Sequence, residues 1–311
     1  MNGQIVSLAR AGGDGKGRGD HDHELDNDGP DDDESRPMGA LLIDSGRLSP
    51  DDAQRILEHQ KKSGLAYGQA GTALGLLNED DVLYALSMQF GQAWKPTEEA
   101  AKELVAVSEP DSPAVEHLRG LRSQLMLRWL ENDLTHGALA IVSPGAGEGR
   151  TFIAANLAVL FSQLGKRTLL IDADLRQPRL HQIFGLSGRS GLSNMLAGRA
   201  GSEAITAIRA IPGLSVLPAG AIPPNPQELL ARAGFAKLLV SLRDKYEVVL
   251  VDTPAAGGSA DAGNIAARAG AALVVACRDR SSLPQISRLA EDLRQFGVTV
   301  VGSVLTGARG T

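Results

Sequence analysis

From Pro113 to the C-terminus, short apolar runs alternate with longer stretches whose apolar residues recur at helical spacing. The runs at 138–143, 167–172, 214–218, 247–252, 271–277 and 299–305 are five to seven residues long and meet a Gly, Pro or Asp at their end or within two residues of it, which predicts buried strands. Between them, 152–164, 227–243, 261–269 and 284–296 carry the three-and-four spacing of helices. Strands alternating with helices predict an α/β fold, a parallel sheet with helices on both faces. This unit is expected to span 116–311.

A different pattern precedes it. Met38-Gly39, Leu42, Leu48, Leu57 and Gln60 recur as Tyr67-Gly68, Gly71, Leu77, Leu86 and Gln89, each 29 positions on. Each copy reads as a short helix, a polar turn and a second helix. Ser49 and Asn78 suit its N-cap, and the acids behind them suit its first turn. Residues 37–92 are therefore expected to form a small, mainly helical domain. Residues 1–36, Gly-rich and then acidic through Asp31–Glu34, bury too little apolar surface to offset the entropy of ordering and are expected to be disordered. Pro96, Pro110 and Pro113, among several charges, mark 93–115 as a linker.

Composition narrows the function classes. The net charge of −6 argues against general nucleic-acid binding. A single cysteine, Cys277, excludes an internal disulfide and fits a reducing compartment. No apolar run approaches the roughly 18 residues that a membrane span needs, and the polar N-terminus does not suit a secretory signal. A cytoplasmic protein is expected, with any membrane role exercised through a partner.

Three elements at strand ends carry the chemistry. Ser143-Pro-Gly-Ala-Gly-Glu-Gly-Arg-Thr151 joins an apolar strand to a helix, the context of a phosphate-binding loop. Gly145, Gly147 and Gly149 allow backbone N–H groups to face phosphate oxygens, with Ala146 and Glu148 completing the cradle. Arg150 stands where the motif has lysine, and the Thr151 hydroxyl can reach magnesium. The second element ends in Asp172 and Asp174, two positions apart and pointing the same way if the chain stays extended. The pair suits magnesium and an incoming hydroxyl; the same residues also suit a turn. The third, Val248–Val251 followed by Asp252, ends a buried strand in an acid of the kind that holds magnesium.

In this order the elements resemble the bacterial tyrosine kinases (BY-kinases), in the branch that sets exopolysaccharide chain length. The resemblance is carried by Ile171-Asp-Ala-Asp-Leu-Arg176 with Pro178, Leu180 and His181, by Gly191-Leu-Ser193, by Leu217-Pro-Ala-Gly220 and by Pro223-Pro-Asn-Pro226 with Glu228-Leu-Leu230. Arginine at the Walker lysine position is similar to that branch too. It implies a P-loop ATPase fold and an ATP- and Mg2+-dependent protein-tyrosine kinase. Arg150 and Thr151 would bind phosphate and metal, Asp174 and Asp252 would surround the metal, and Asp172 would accept the tyrosine proton. Glu116, Arg119 and Arg122 match an oligomerisation motif; their spacing alone equally suits an intrahelical pair. The implied partners are further copies of the chain and a membrane-embedded polysaccharide co-polymerase, which would hold the protein at the inner membrane.

Two departures qualify these expectations. BY-kinases usually end in a tyrosine cluster, whereas this sequence ends Val304-Leu-Thr-Gly-Ala-Arg-Gly-Thr311 and has only Tyr67, Tyr84 and Tyr246. Phosphate is then expected on another site or protein, or the domain serves as an ATP-dependent scaffold. The repeat domain resembles the N-terminal domain of type II secretion ATPases, where a tandem Arg-Leu-Gly-x-x-Leu motif can bind cyclic di-GMP. Pro37 and Ala66 occupy the arginine positions here, so a protein-docking module is preferred to a cyclic di-GMP sensor.

Overall fold

The computed structural model describes residues 5–7, 37–78, 81, 82, 85, 102–131 and 138–307. The chain divides into two units, 10–91 and a larger one formed by 1–9 with 92–311.

In the smaller unit, α1 (Met38–Asp44), α2 (Pro50–Ser63) and α3 (Tyr67–Ala73) pack around Leu42, Leu48, Ile56, Ala70, Leu77 and Ala85. The predicted caps form. Ser49 Oγ accepts the Asp52 N–H at 3.1 Å, and Asn78 and Asp81 cap each other reciprocally at 2.8 and 3.1 Å. Arg47 reaches across the repeat to Asp81 at 2.8 Å. A Cβ at Gly71 would overlap the Leu77 side chain, which explains glycine where the first copy carries the buried Leu42. Tyr67 packs into this core with its hydroxyl buried and unpartnered.

The larger unit is built on a sheet of eight strands among the described residues: β1 (Ile5–Ser7), β2 (Ala138–Val142), β3 (Thr168–Asp172), β4 (Thr206–Ala207), β5 (Leu214–Leu217), β6 (Val248–Asp252), β7 (Gly270–Cys277) and β8 (Thr299–Thr306). Their order is β1-β8-β7-β2-β6-β3-β5-β4, parallel throughout except for the β4–β5 pair. The six predicted strands therefore form, within a residue or two of their expected ends. Within the stretch expected to be disordered, Ile5–Ser7 instead pair with Ser303–Leu305 and form the sheet edge, covering backbone groups that β8 would otherwise leave unpaired. The rest of that stretch lies outside the described residues.

Side chains alternate across the central strands, as buried parallel strands require. Leu139 and Ile141 of β2 face one layer, formed by α4 (Val105–Ser108), α5 (Pro113–Leu125) and α6 (Arg150–Gln163). Ala138, Ala140 and Val142 face the other, formed by α9 (Pro226–Ala231), α10 (Ala233–Arg243), α11 (Asp261–Ala269) and α12 (Leu283–Gln295). The short helices α7 (Leu180–Ile183) and α8 (Leu192–Leu196) lie in the connection between β3 and β4.

From residue 102, the described part of the expected linker belongs to this unit. Leu104, Val105 and Ala106 are buried in its core. The buried Asn156 of α6 holds them by accepting the Ala106 N–H at 2.9 Å and donating to Glu103 O at 2.7 Å. Helix α5 runs into a π-turn, Met126–Leu130, whose Trp129 meets Phe161 of α6 edge to face, centroids 6.4 Å apart. Gly191 shows what one family-like motif does. A Cβ there would overlap the Pro218 carbonyl and the Gly220 nitrogen, because Leu192 and Ser193 donate to Pro218 O and Ala219 O. The two matched segments, 191–193 and 217–220, are thus one backbone joint.

Candidate nucleotide site

The C-terminal ends of β2, β6, β3 and β7 converge where a parallel sheet places its ligand. The loop 143–149 leaves β2 and enters α6 through Gly147 and Gly149, both in the left-handed region at φ +69° and +96°. Gly145 is not left-handed, and its N–H is taken by the side chain of Glu148, 2.6 Å away. That carboxylate is buried and also accepts a hydrogen bond from Ser281 Oγ. Ala146 and Gly147 remain exposed. Thr306, at the end of β8, donates to Glu148 O at 2.8 Å and braces the loop from behind.

Arg150 does not extend into the open cradle. Its guanidinium donates through Nε to Thr253 O at 2.8 Å, and through Nη1 to Gly145 O at 2.7 Å and to Ser143 Oγ. It is therefore nine-tenths buried, a brace between the loop and the β6 terminus. A lysine, with one terminal nitrogen, could not cover this spread of acceptors in the same way.

Across the loop, Thr151 Oγ1 donates to Asp252 Oδ2 at 2.7 Å. Asp252 is buried, and its Oδ1 has no partner. Burial pushes its pKa up to about 7, against the lowering influence of the Thr151 hydroxyl and Arg150. Among the described residues no cluster of three His, Cys, Asp or Glu side chains could hold a metal unaided. A hydroxyl and an orphaned carboxylate oxygen beside a glycine loop suit magnesium, which keeps several waters and takes few protein ligands.

The Asp172–Asp174 pair behaves otherwise than expected. The chain turns at the end of β3, so the two side chains do not continue a strand. Asp172 Oδ1 accepts the Asp174 N–H at 3.2 Å, and its Oδ2 accepts from Arg179 and Leu180, both at 3.1 Å. Asp172 is fully enclosed, and burial together with the Asp252 charge holds it well above the ordinary carboxylate range. It orders the turn and caps the start of α7; this geometry does not offer it to an incoming hydroxyl. Asp174 is the half-exposed member, its Oδ1 accepting from the Arg176 and Gln177 N–H groups. Arg176 pins the same turn to the buried Asp261 of α11 at 2.7 Å.

The oligomerisation triad also divides. Glu116 and Arg119 form an exposed pair at 3.2 Å, whereas Arg122 turns inward to Leu160 O at 3.1 Å. Arg122 thus ties α5 to α6, and of the three only Glu116 and Arg119 hold their side chains on the outer face of α5. Pro37 and Ala66 are the N-cap residues of α1 and α3 and offer no side-chain donor. Of the remaining tyrosines, Tyr246 is half-buried against the core and Tyr84 lies outside the described residues. The sequence singles out Arg176 within its motif but not its pairing with Asp261, and it gives no role to Arg280, Ser281 or Thr306. The run Arg278-Asp-Arg-Ser-Ser282, just after a buried strand beside β2, was the available signal.

The family model of the CobQ/CobB/MinD/ParA nucleotide binding domain matches residues 139–311. The chain is 38% identical over 208 residues to EpsB of Ralstonia solanacearum, and 35% identical over 203 residues to the tyrosine-protein kinase Wzc of Salmonella typhimurium. These alignments cover 67% and 65% of this chain but 28% of either relative. CapB of Staphylococcus aureus, which carries the name of a tyrosine-protein kinase, is 34% identical over 63% of this chain and 86% of its own length. Among solved structures, the kinase domain of the Escherichia coli tyrosine kinase ETK superposes with a TM-score of 0.63 at 33% identity, covering 67% of this chain and 82% of that one. The chimeric protein CapA2B2 gives 0.62 at 33% identity, covering 67% and 91%. With this sheet order, this loop and these relatives, the chain belongs to the bacterial tyrosine-kinase family.

Proposed function

We propose that the chain is an ATP-dependent protein-tyrosine kinase that acts in exopolysaccharide chain-length control or export. The observation that carries the reading is the Thr151–Asp252 pair, with its unpartnered buried Oδ1, at the open end of a glycine loop. Thr151 and Asp252 would hold Mg2+, with Asp174 close enough for its charge to act on Asp252. The ion would supply charge neutralisation at the outer phosphates. The N–H groups of 146–149 would cradle the polyphosphate, entered from the exposed Ala146 and Gly147, and Arg150 keeps the loop in shape. The tyrosine oxygen forms the new bond to the γ-phosphorus, the bond to the ADP oxygen breaks, and the tyrosine proton passes to Asp174. Asp172 positions Asp174 by accepting its N–H, and Arg176 with Asp261 steadies the same turn.

Oligomers joined partly through Glu116 and Arg119, and docking on a membrane-embedded co-polymerase through residues 37–92, complete the proposal. No helix among the described residues is long and apolar enough to cross a membrane, so a membrane location would come through that partner. A second reading, an ATP-binding scaffold without phosphotransfer, is favoured by the inward pose of Arg150, which leaves the loop without a free Walker cation. Incubation with Mg2+ and γ-labelled ATP beside a tyrosine-containing acceptor separates the two. Label on tyrosine supports the kinase, and ATP-dependent assembly with no label supports the scaffold.

A further inference from the structure

Arg280 lies outside the Thr151–Asp252 pair and the acidic turn, yet the fold brings it to the phosphate loop. It lies in the turn between β7 and α12. There the Arg280 and Ser281 N–H groups both donate to Cys277 O, at 3.2 and 2.9 Å, and Ser281 Oγ accepts the Cys277 N–H at 2.8 Å. Asp279 within the turn is left-handed at φ +60°, the one described non-glycine residue with a positive φ. Such backbone is uncommon outside glycine and persists where its surroundings hold it.

Two bridges join the turn to the loop: Ser281 Oγ to the Glu148 carboxylate, and Arg280 Nη1 to Gly147 O at 3.1 Å. The guanidinium lies against Gly147, since a Cβ there would come within 2.9, 3.2 and 3.3 Å of its Nη1, Cζ and Nη2. Arg280 is exposed and forms no ion pair among the described residues. The bond to Gly147 is the only hydrogen bond its guanidinium makes there, so most of its five N–H donors are open. Arg150 presents the opposite case, buried and held by three protein acceptors.

We propose that Arg280 is a phosphate ligand of the nucleotide site, supplying from the β7–α12 turn the accessible cation that the braced Arg150 does not. A guanidinium is suited to paired phosphate oxygens, and moving from the neutral Gly147 carbonyl to a charged oxygen strengthens its hydrogen bond. The inference rests on the reading that the loop binds ATP. Titration calorimetry of the full chain with ATP, ADP, AMP and adenosine, in Mg2+, tests it on the wild type, Arg280→Ala and Arg280→Lys. Because the side chain is exposed, Arg280→Ala should melt at the wild-type temperature. It should weaken ATP and ADP about tenfold or more, leave adenosine unchanged, and reduce the salt dependence of ATP binding. Arg280→Lys should fall between. ATP affinity within about twofold of wild type, or an equal loss for adenosine, overturns the assignment. A wild type that binds no Mg-ATP overturns the nucleotide reading itself, whereas a wild type that binds it and ignores Arg280→Ala rejects Arg280 alone.

Discussion

Replacing Asp252 by Asn should stabilise the protein in the absence of metal and nucleotide while removing its use of both. The native carboxylate is buried, with one oxygen bonded to Thr151 and the other bonded to nothing. Its pKa rises from 3.8, the ordinary value for an aspartate side chain, to about 7. Between those values the folded state holds a proton that the unfolded state has lost, so stability falls as pH rises from about 4 to about 7 and is flat above. At about 1.4 kcal/mol per unit, that cost reaches on the order of 4 kcal/mol at pH 7 and higher. Asparagine has no such cost. Its carbonyl can still accept from Thr151, but its amide buries a donor without a partner, worth about 1–2 kcal/mol. The expected net gain at pH 8 is therefore about 2–3 kcal/mol, or roughly 4–12 °C in the melting temperature of the α/β unit. Near pH 4 the sign reverses, and the two melting curves should cross at about pH 5. Thermal melts from pH 4 to 8 without Mg2+ check this, and a second series with Mg-ATP should raise the wild type alone. A variant that melts below wild type at pH 8 would refute the claim that Asp252 is a charge stored for a cation.

Three further substitutions probe the frame around the site. Asn156→Ala unties 103–106 from α6 and leaves the Ala106 N–H buried, which should cost about 2–4 kcal/mol in denaturant unfolding. Gly191→Ala places a Cβ into the backbone of 218–220 and should cost about 4 kcal/mol or more, seen as loss of soluble, cooperatively melting protein. Ser49→Ala removes the α2 cap and should lower the stability of the helical unit by about 1 kcal/mol, with nucleotide affinity unchanged.

The sheet was legible because its strands are continuous apolar runs buried on both faces, a pattern that survives without tertiary knowledge. The glycine loop was legible because its spacing is itself the mechanism. Arg150 was placed correctly along the chain but not in space, since its pose depends on Thr253 O, 103 residues away in sequence. Asp172 and Asp174 were read as an extended pair, and what changed their roles is a turn set by the N–H groups of residues 174, 179 and 180. The Pro-rich stretch before residue 116 looked like linker from its composition, yet Leu104-Val-Ala106 is a short apolar plug whose partner, Asn156, lies on α6. Arg280 and Ser281 carry no motif of their own; only the adjacency of β7 and β2 brings them to the loop.

Kinase activity stands or falls on mass spectrometry for phosphotyrosine. The full chain would be incubated with Mg-ATP, alone and with the cytoplasmic segment of a membrane co-polymerase, beside Asp252→Asn treated identically. A kinase built on the Thr151–Asp252 pair should leave phosphotyrosine on the wild type or on the added segment, and none with Asp252→Asn. Wild-type protein that binds Mg-ATP and leaves every tyrosine unmodified in both conditions would contradict it.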